Sequence, residues 1–563
     1  MPSSRRGKFG RSRNPTLFFF SIVGLIVVIF CIEFALFNHV DISQEQNISS
    51  ALSSRLMASN AAVDVHHTGL PAHLLPHVPI TPLFNSISHA EDHIARLLDG
   101  QASMVGVIAL LQKFISELHD RNQEASIADA EGQQVLEYSF HLTEKHLKPF
   151  DAAYRGKHIF PLREDGSIYI SLAAFREPYL VGTLVSAFKN AKNPEKLFVG
   201  AVIQNCFGKI LKDGTIDSSG TPCRGASMKV GENKKGRDIV KQAEVPVDMN
   251  GIEVFCAKPG YKQYCQNGQI RVLYVHHTDS QGPSMARYIA SKLWGGENYF
   301  MQIDAHLRFA HEWDAKYIAD AKLTLNYPKS ILSCYPPGFG QKQFIPKRMG
   351  VDLSKVNNDT VIESPGTRLC NCGKPKNSKD HILSINLGRP YFGNETRPKQ
   401  TAYIGAGFVF AHADFLVDVN FDPYLPWIFM GEEILLSMRA WTHGWNIYAP
   451  RKNLIIHHYR KGKDGIPKFY GSVNKMSKKF GYAWLTKRTI RRVKHLLGYP
   501  IHTADKIKAD DMGLLLADIE NYGLGPVRSW EDYLEFTQIK PNATDGGLDC
   551  PKRLDWCFNM LRE

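Results

Sequence analysis

Residues 298–309 read NYFMQIDAHLRF. An apolar run leads into Asp304-Ala-His306, after which polar and apolar residues alternate. Burying a carboxylate or an imidazole without a partner costs on the order of several kcal/mol, a sizeable part of a domain's margin. Residues i and i+2 of a strand point to one face, so Asp304 and His306 can reach a common point. A divalent cation there would offset both burials, and a mixed oxygen and nitrogen donor set suits Mn, with Mg or Zn less specific. The bland alternative is a hydrogen-bonded Asp/His pair that braces a loop, and for the three-residue pattern alone that is the commoner case.

The surroundings give this stretch its place. SIYISLAAF (167–175), KLFVGAVIQN (196–205) and IRVLYVHHT (270–278) are strands patterned for burial, and YFMQIDAH supplies a fourth. EPYLVGTLVSAFKNA follows the first strand with Leu180, Leu184, Val185 and Phe188 at helical spacing, and GPSMARYIASKLW precedes the fourth as a helix from about 283 to 294. Strands alternating with helices predict a parallel sheet covered on both faces, an α/β protein. Ligands of such sheets bind beyond the carboxyl ends of the strands, where Asp304 and His306 fall.

Further chemistry-bearing residues come about 100 to 150 positions later. YIGAGFVFAHADFL (403–416) carries Gly405 and Gly407 on an extended run, which permits close backbone approach. Gly431-Glu432-Glu433 opens a helix bearing Ile434, Leu435, Met438 and Trp441; taken singly, either glutamate reads equally as a complement to the helix dipole. NLIIHHYR (453–460) is a short apolar strand ending in His457 and His458.

The 563 residues are too many for one core, and 44% hydrophobic with 22% charged residues is ordinary for a globular chain. A net charge of +13 favours anionic partners. Five of the positive charges, Arg5, Arg6, Lys8, Arg11 and Arg13, precede the 21-residue apolar stretch Leu17–Phe37. At about 1.5 Å per residue that stretch spans roughly 30 Å, a bilayer core. The basic flank predicts a cytosolic N-terminus and an uncleaved signal anchor, with everything after residue 38 in the secretory lumen and the bilayer as a partner through residues 17–37. Sequons at Asn47, Asn358, Asn394 and Asn542 agree weakly. Of ten cysteines nine lie beyond the anchor; Cys256/Cys265 and Cys550/Cys557 are expected local disulfides, and without a CxxC pair no structural zinc is expected.

The expected organisation is a cytosolic tail (1–16), the transmembrane anchor (17–37), a stem (38–160), a catalytic domain (161–470) and a helical C-terminal extension (471–563). Within the stem Met104, Ile108, Leu111, Ile115 and Leu118 form a short heptad seam, expected to pair with a second copy of the chain or with the helix around Ile94–Leu98. The basic run Arg491, Arg492, Lys494 is expected to be a solvated helix face; a luminal address excludes nucleic acid as its partner.

In order, IYISLAAFREP, GPSMAR, QIDAH, YIGAGFVF, GEEILLSMRAWTHGW and HHYR resemble the family 60 glycosyltransferases, N-acetylglucosaminyltransferases related to the polypeptide N-acetylgalactosaminyltransferases of animals. The resemblance covers roughly 166–465 and implies a GT-A fold, a Rossmann-like mixed sheet for nucleotide-diphospho-sugars with flanking helices. It implies transfer of GlcNAc from UDP-GlcNAc to a protein hydroxyl with retention of configuration and a divalent cation, Mn or Mg. By position it makes Asp304, His306 and His457 the metal ligands, with His458 the fallback for the last. Ala173, Phe175, Arg176 and Glu177 become the uridine-binding edge, Arg287 approaches the donor, and Glu432 with Glu433 stands at the sugar and acceptor site; Glu433 replaces the relatives' Asn. The acceptor expected of a Golgi type II membrane protein is a Thr/Ser-bearing polypeptide, the alternative being hydroxyproline on a ubiquitin-ligase adaptor. The glycine-rich stretches 206–265 and 335–400 read either as an acceptor groove or as surface insertions. Rival classes are a non-catalytic membrane-anchored carbohydrate-binding scaffold and a metal-dependent phosphodiester hydrolase; the latter normally needs more convergent ligands.

Overall fold

A computed structural model describes residues 87–558 except 129–132, 211–215, 221–222, 233–237, 339–360, 362, 375–381, 387–388, 391–394, 460–468, 470–481, 501–508 and 543–545. The expected anchor at 17–37 lies outside the described residues, and among those described no helix is long and apolar enough to cross a membrane.

The centre is an eight-stranded mixed sheet. Its strands are β1 (Ile168–Phe175), β2 (Leu197–Asn205), β3 (Ile270–His276), β4 (Tyr299–Asp304), β6 (Ser330–Ser333), β7 (Lys399–Gln400), β8 (Phe408–His412) and β9 (Asn446–Ala449), while β5 (Leu307–Phe309) and β10 (Ile455–His457) form a separate two-stranded ribbon. The order is β7-β9-β6-β8-β4-β1-β2-β3. The four strands β1 to β4 run parallel, as the alternation with helices predicts, but β8 runs antiparallel to both β4 and β6. The sheet is therefore mixed rather than wholly parallel.

Alternation sorts each strand's side chains onto two faces. Tyr169, Val202, Leu273, Val275, Phe300 and Val409 enter one core, while Ile170, Leu172, Val199, Ile203, Met301 and Phe410 enter the other. Because both faces are covered, the strands read as continuous apolar runs. The first face is covered by α1 (Ile87–Leu98), α2 (Met104–Ala128) and α4 (Pro283–Ser291), the second by α3 (Leu180–Asn190) and the helix Trp313–Lys322. The heptad residues Ile108, Leu111, Ile115 and Leu118 lie in the first core with Leu273 and Ile289. Within the described chain that seam is spent on α1 and on the sheet; Asp279 after β3 accepts from Asn122 at 3.0 Å and pairs with His119 Nδ1 at 2.7 Å.

The C-terminal residues join a third core with α5 (Glu432–Thr442): α6 (Tyr482–Leu496) and the helix Trp530–Thr537 pack on it through Val493, Leu497, Tyr533 and Leu534. Cys370 is bonded to Cys557 and Cys372 to Cys550. This corrects the expected Cys550/Cys557 bridge: both cysteines reach across to one short segment. Cys256–Cys265 forms as expected, Cys206–Cys223 closes a further loop, and Cys334 remains as a buried thiol. The basic run is also corrected. Arg492 has no solvent exposure; its Nε donates to Asp422 at 2.8 Å and its Nη1 to the carbonyls of Leu514 and Leu515, so the cation is a core tie and not part of a solvated face.

Candidate active site

Asp304 ends β4 at the middle of the sheet, opposite Ala173 of β1 and beside the Gly407 carbonyl, which accepts its N–H at 3.3 Å. The ribbon brings the distant histidine back: β10 pairs with β5 so that His457 stands opposite Leu307, and the His458 N–H donates to the His306 carbonyl at 3.0 Å. Asp304, His306 and His457 consequently each present a ligand atom within 4.8 Å of the others. Strand alternation turns His458 the other way, onto the Tyr179 ring at 4.5 Å.

The distances within this cluster suit a cation. Asp304 Oδ2 lies 3.0 Å from His457 Nε2 and 4.0 Å from His306 Nε2. Neighbouring ligands on a metal with bonds of about 2.1 Å lie about 3–4 Å apart. His457 Nδ1 is buried with no partner among the described residues, and Nε2 faces Asp304 Oδ2; holding a cation would require the neutral tautomer with its lone pair on Nε2. Gly407 floors the cluster: a Cβ on it would come 3.2 Å from Asp304 Oδ2. The donor set thus fits a divalent cation. Cys206, His276 and His277 also converge, but the sulfur of Cys206 is committed to its disulfide and offers no thiolate.

Two further charges border the cluster. Arg287, on α4, donates through Nη2 to Asp304 Oδ1 at 3.1 Å and through Nη1 to Glu432 Oε2. Burial works to lower its pKa, but the carboxylates of Glu432 and Asp304 outweigh that and raise it. Burial likewise pushes Asp304 up, yet the His457 hydrogen bond and the charges of Arg287, His457 and His306 hold its carboxyl well below the usual range. His306 is pulled down by burial, against the opposing charge of Asp304. Glu432, at the first turn of α5, is nearly buried, and its Oε1 has no partner among the described residues.

The remaining expected residues divide. Glu177 reaches the cluster from behind, its Oε2 2.9 Å from His306 Nδ1, a link that orients Nε2 toward Asp304. Ala173 and Phe175 line the end of β1, with Phe175 edge-on to Phe469 at 5.6 Å. The Arg176 guanidinium donates to Asp248 at 2.6 and 2.8 Å and to the Arg224 carbonyl. Glu433 accepts from Tyr335 at 2.6 Å and from the Ala406 N–H at 2.9 Å. Burial raises its pKa, opposed by those two hydrogen bonds. Tyr335 escaped the sequence reading. Its only signal was position, two residues after β6 at the carboxyl end of a strand parallel to β9.

Asp304 at the end of β4, His306 two residues beyond it and His457 at the end of the β5–β10 ribbon converge beside Arg287 and Glu432, a donor set that could hold a divalent cation. Residues 167–543, well over half of the chain, match the family model Glycosyltransferase (GlcNAc), and the protein belongs to that family. Among solved structures it is similar to GalNAc-T7 with UDP, GalNAc and Mn2+ (14% identity, TM-score 0.37, 66% of this chain and 56% of that one). It is also similar to S. aureus TarS 1–349 in complex with UDP-GlcNAc (12% identity, TM-score 0.27, 63% of this chain and 80% of that one). The chain thus spans little more than half of the GalNAc-T7 length. No curated protein matches.

Proposed function

We propose that the protein is a retaining, Mn-dependent polypeptide N-acetylglucosaminyltransferase of GT-A type, which moves GlcNAc from UDP-GlcNAc to a Thr or Ser hydroxyl. The observation that carries the reading is the meeting of Asp304, His306 and His457 beside the Arg287–Glu432 pair in a member of a GlcNAc glycosyltransferase family. A divalent cation on the three ligands would supply Lewis-acid neutralisation of the diphosphate. Arg287, already charged and fixed by two carboxylates, adds a preorganised donor for a phosphate oxygen. Glu432 offers Oε1, which has no partner among the described residues, to a hydroxyl of the sugar or the acceptor and its negative charge to the oxocarbenium-like transition state. In front-face transfer the bond from the anomeric carbon to the phosphate oxygen breaks, the bond to the acceptor oxygen forms, and the acceptor proton passes to the departing phosphate.

Four disulfides among the described residues favour an oxidising compartment, in keeping with a type II anchor at 17–37 and a Golgi-luminal catalytic domain. The same observation favours a Thr/Ser acceptor over cytosolic hydroxyproline.

The test is incubation of the purified protein with labelled UDP-GlcNAc, Mn2+ and either a Thr-rich or a hydroxyproline peptide. Label is expected in the Thr-rich peptide, lost with excess chelator and regained with Mn2+. Full activity in chelator would reject the metal role, and label in neither peptide without donor breakdown would favour a non-catalytic scaffold.

A further inference from the structure

Glu432 and Glu433 are neighbours in the first turn of α5, yet their surroundings differ in kind. Glu432 keeps one buried oxygen without a partner among the described residues. Glu433 has both oxygens engaged by protein: Oε1 by the Ala406 N–H at 2.9 Å and Oε2 by the Tyr335 hydroxyl at 2.6 Å. The Ala406 peptide is held from its other end too, its carbonyl accepting from Gln302 Nε2 at 2.7 Å. On either side of it the Gly405 N–H donates to Ser333 Oγ at 2.9 Å and the Gly407 carbonyl accepts from Asp304. The Tyr335 ring packs on Gly405 so closely that a Cβ there would lie 2.8 Å from it.

We infer that Glu433 and Tyr335 act together as positioning residues, a clamp that fixes the Gly405–Gly407 backbone as the floor under Asp304. The inference rests on the metal-site reading above. What the clamp requires of position 433 is hydrogen-bonding capacity rather than charge. A glutamine keeps both contacts, its oxygen accepting from Ala406 and its amide donating to the Tyr335 oxygen. Alanine keeps neither. Because the Gly407 floor touches Asp304 directly, loosening it releases the orientation of that carboxylate before any donor binds.

The experiment measures Mn2+ binding to the full-length protein by electron paramagnetic resonance without donor, together with kcat, KM and thermal stability, for E433A, E433Q and Y335F. E433A is expected to weaken Mn2+ binding about tenfold or more and to lower kcat comparably, as losing an outer partner of a metal site does. E433Q is expected to restore most of that loss, and Y335F to fall between. E433Q as impaired as E433A would overturn the inference by making the carboxylate itself chemical. A fall in thermal stability with Mn2+ affinity unchanged would overturn it by reducing the clamp to a structural tie. Should E433A not fold, Y335F must weaken Mn2+ binding more than E433Q does, or the inference fails. Wild-type protein that binds no Mn2+ would instead remove the metal-site reading, and the inference with it.

Discussion

His306 Nδ1 lies 2.9 Å from Glu177 Oε2, a contact between the turn after β1 and the residue beyond β4. Glu177 is fully buried and also accepts from the Tyr179 N–H at 2.9 Å, so it is fixed before it fixes the histidine. Glu177→Ala frees the ring, and Mn2+ affinity is expected to fall about 10–100-fold. Glu177→Gln, which can still accept from Nδ1, is expected to lose less. Titration of Mn2+ against both variants checks the order; equal affinity in the alanine variant would detach Glu177 from the site.

Arg287 serves two masters with opposite consequences. Its charge lies 3.1 Å from a carboxylate expected to bind metal, and so opposes a cation there, yet the same charge suits a donor phosphate. Arg287→Ala is expected to lower kcat on the order of 100-fold while tightening Mn2+ binding in the absence of donor. Isothermal calorimetry with Mn2+ alone, beside a turnover assay, separates the two effects. Weaker Mn2+ binding in this variant would reverse the argument.

Glu433 gives a pH signature in the metal-free protein. Burial raises its folded pKa above the ordinary carboxylate value. Its contribution to stability is therefore fully present below the unfolded pKa of about 4.3 and is lost as pH rises through the folded value. The melting temperature of E433Q relative to wild type is expected to climb between pH 4 and pH 8. A flat difference across that interval would mean that Glu433 folds with no shift.

The two bridges to Cys550 and Cys557 close loops of 178 and 187 residues. Replacing Cys370, Cys372, Cys550 and Cys557 together by serine is expected to cost at least about 2–5 kcal/mol, visible as a lower urea midpoint and as proteolytic release of the C-terminal segment. Unchanged protection would show that the third core holds the segment by packing alone.

Much of this was legible in the chain. Burial on both faces writes itself as unbroken apolar runs, which is why β1, β2, β3 and β4 stand out, and the two-residue period of a strand is what aligns Asp304 with His306. The return of His457 needed the ordered series of motifs, because no local pattern announces that β10 pairs with β5 across 150 residues. Long-range partners were illegible for the same reason: Cys550 and Cys557 looked local because spacing was the sole guide. Arg492 looked solvated because its neighbours are basic, whereas the carboxylate it pairs with, Asp422, lies 70 positions away. Arg176 sat in the right motif, but Asp248 claims its side chain.

The pairing of Cys370 and Cys372 with residues nearly two hundred positions downstream bears on how the protein is made. A growing polypeptide emerging from the ribosome can assemble β1 to β4 early, but the helix that carries Glu432 stays open on one side until codons 482 to 557 have been translated. A frameshift or nonsense allele that spares every ligand in the cluster, and loses only this late portion, should therefore be as damaging genetically as one that removes the ligands themselves.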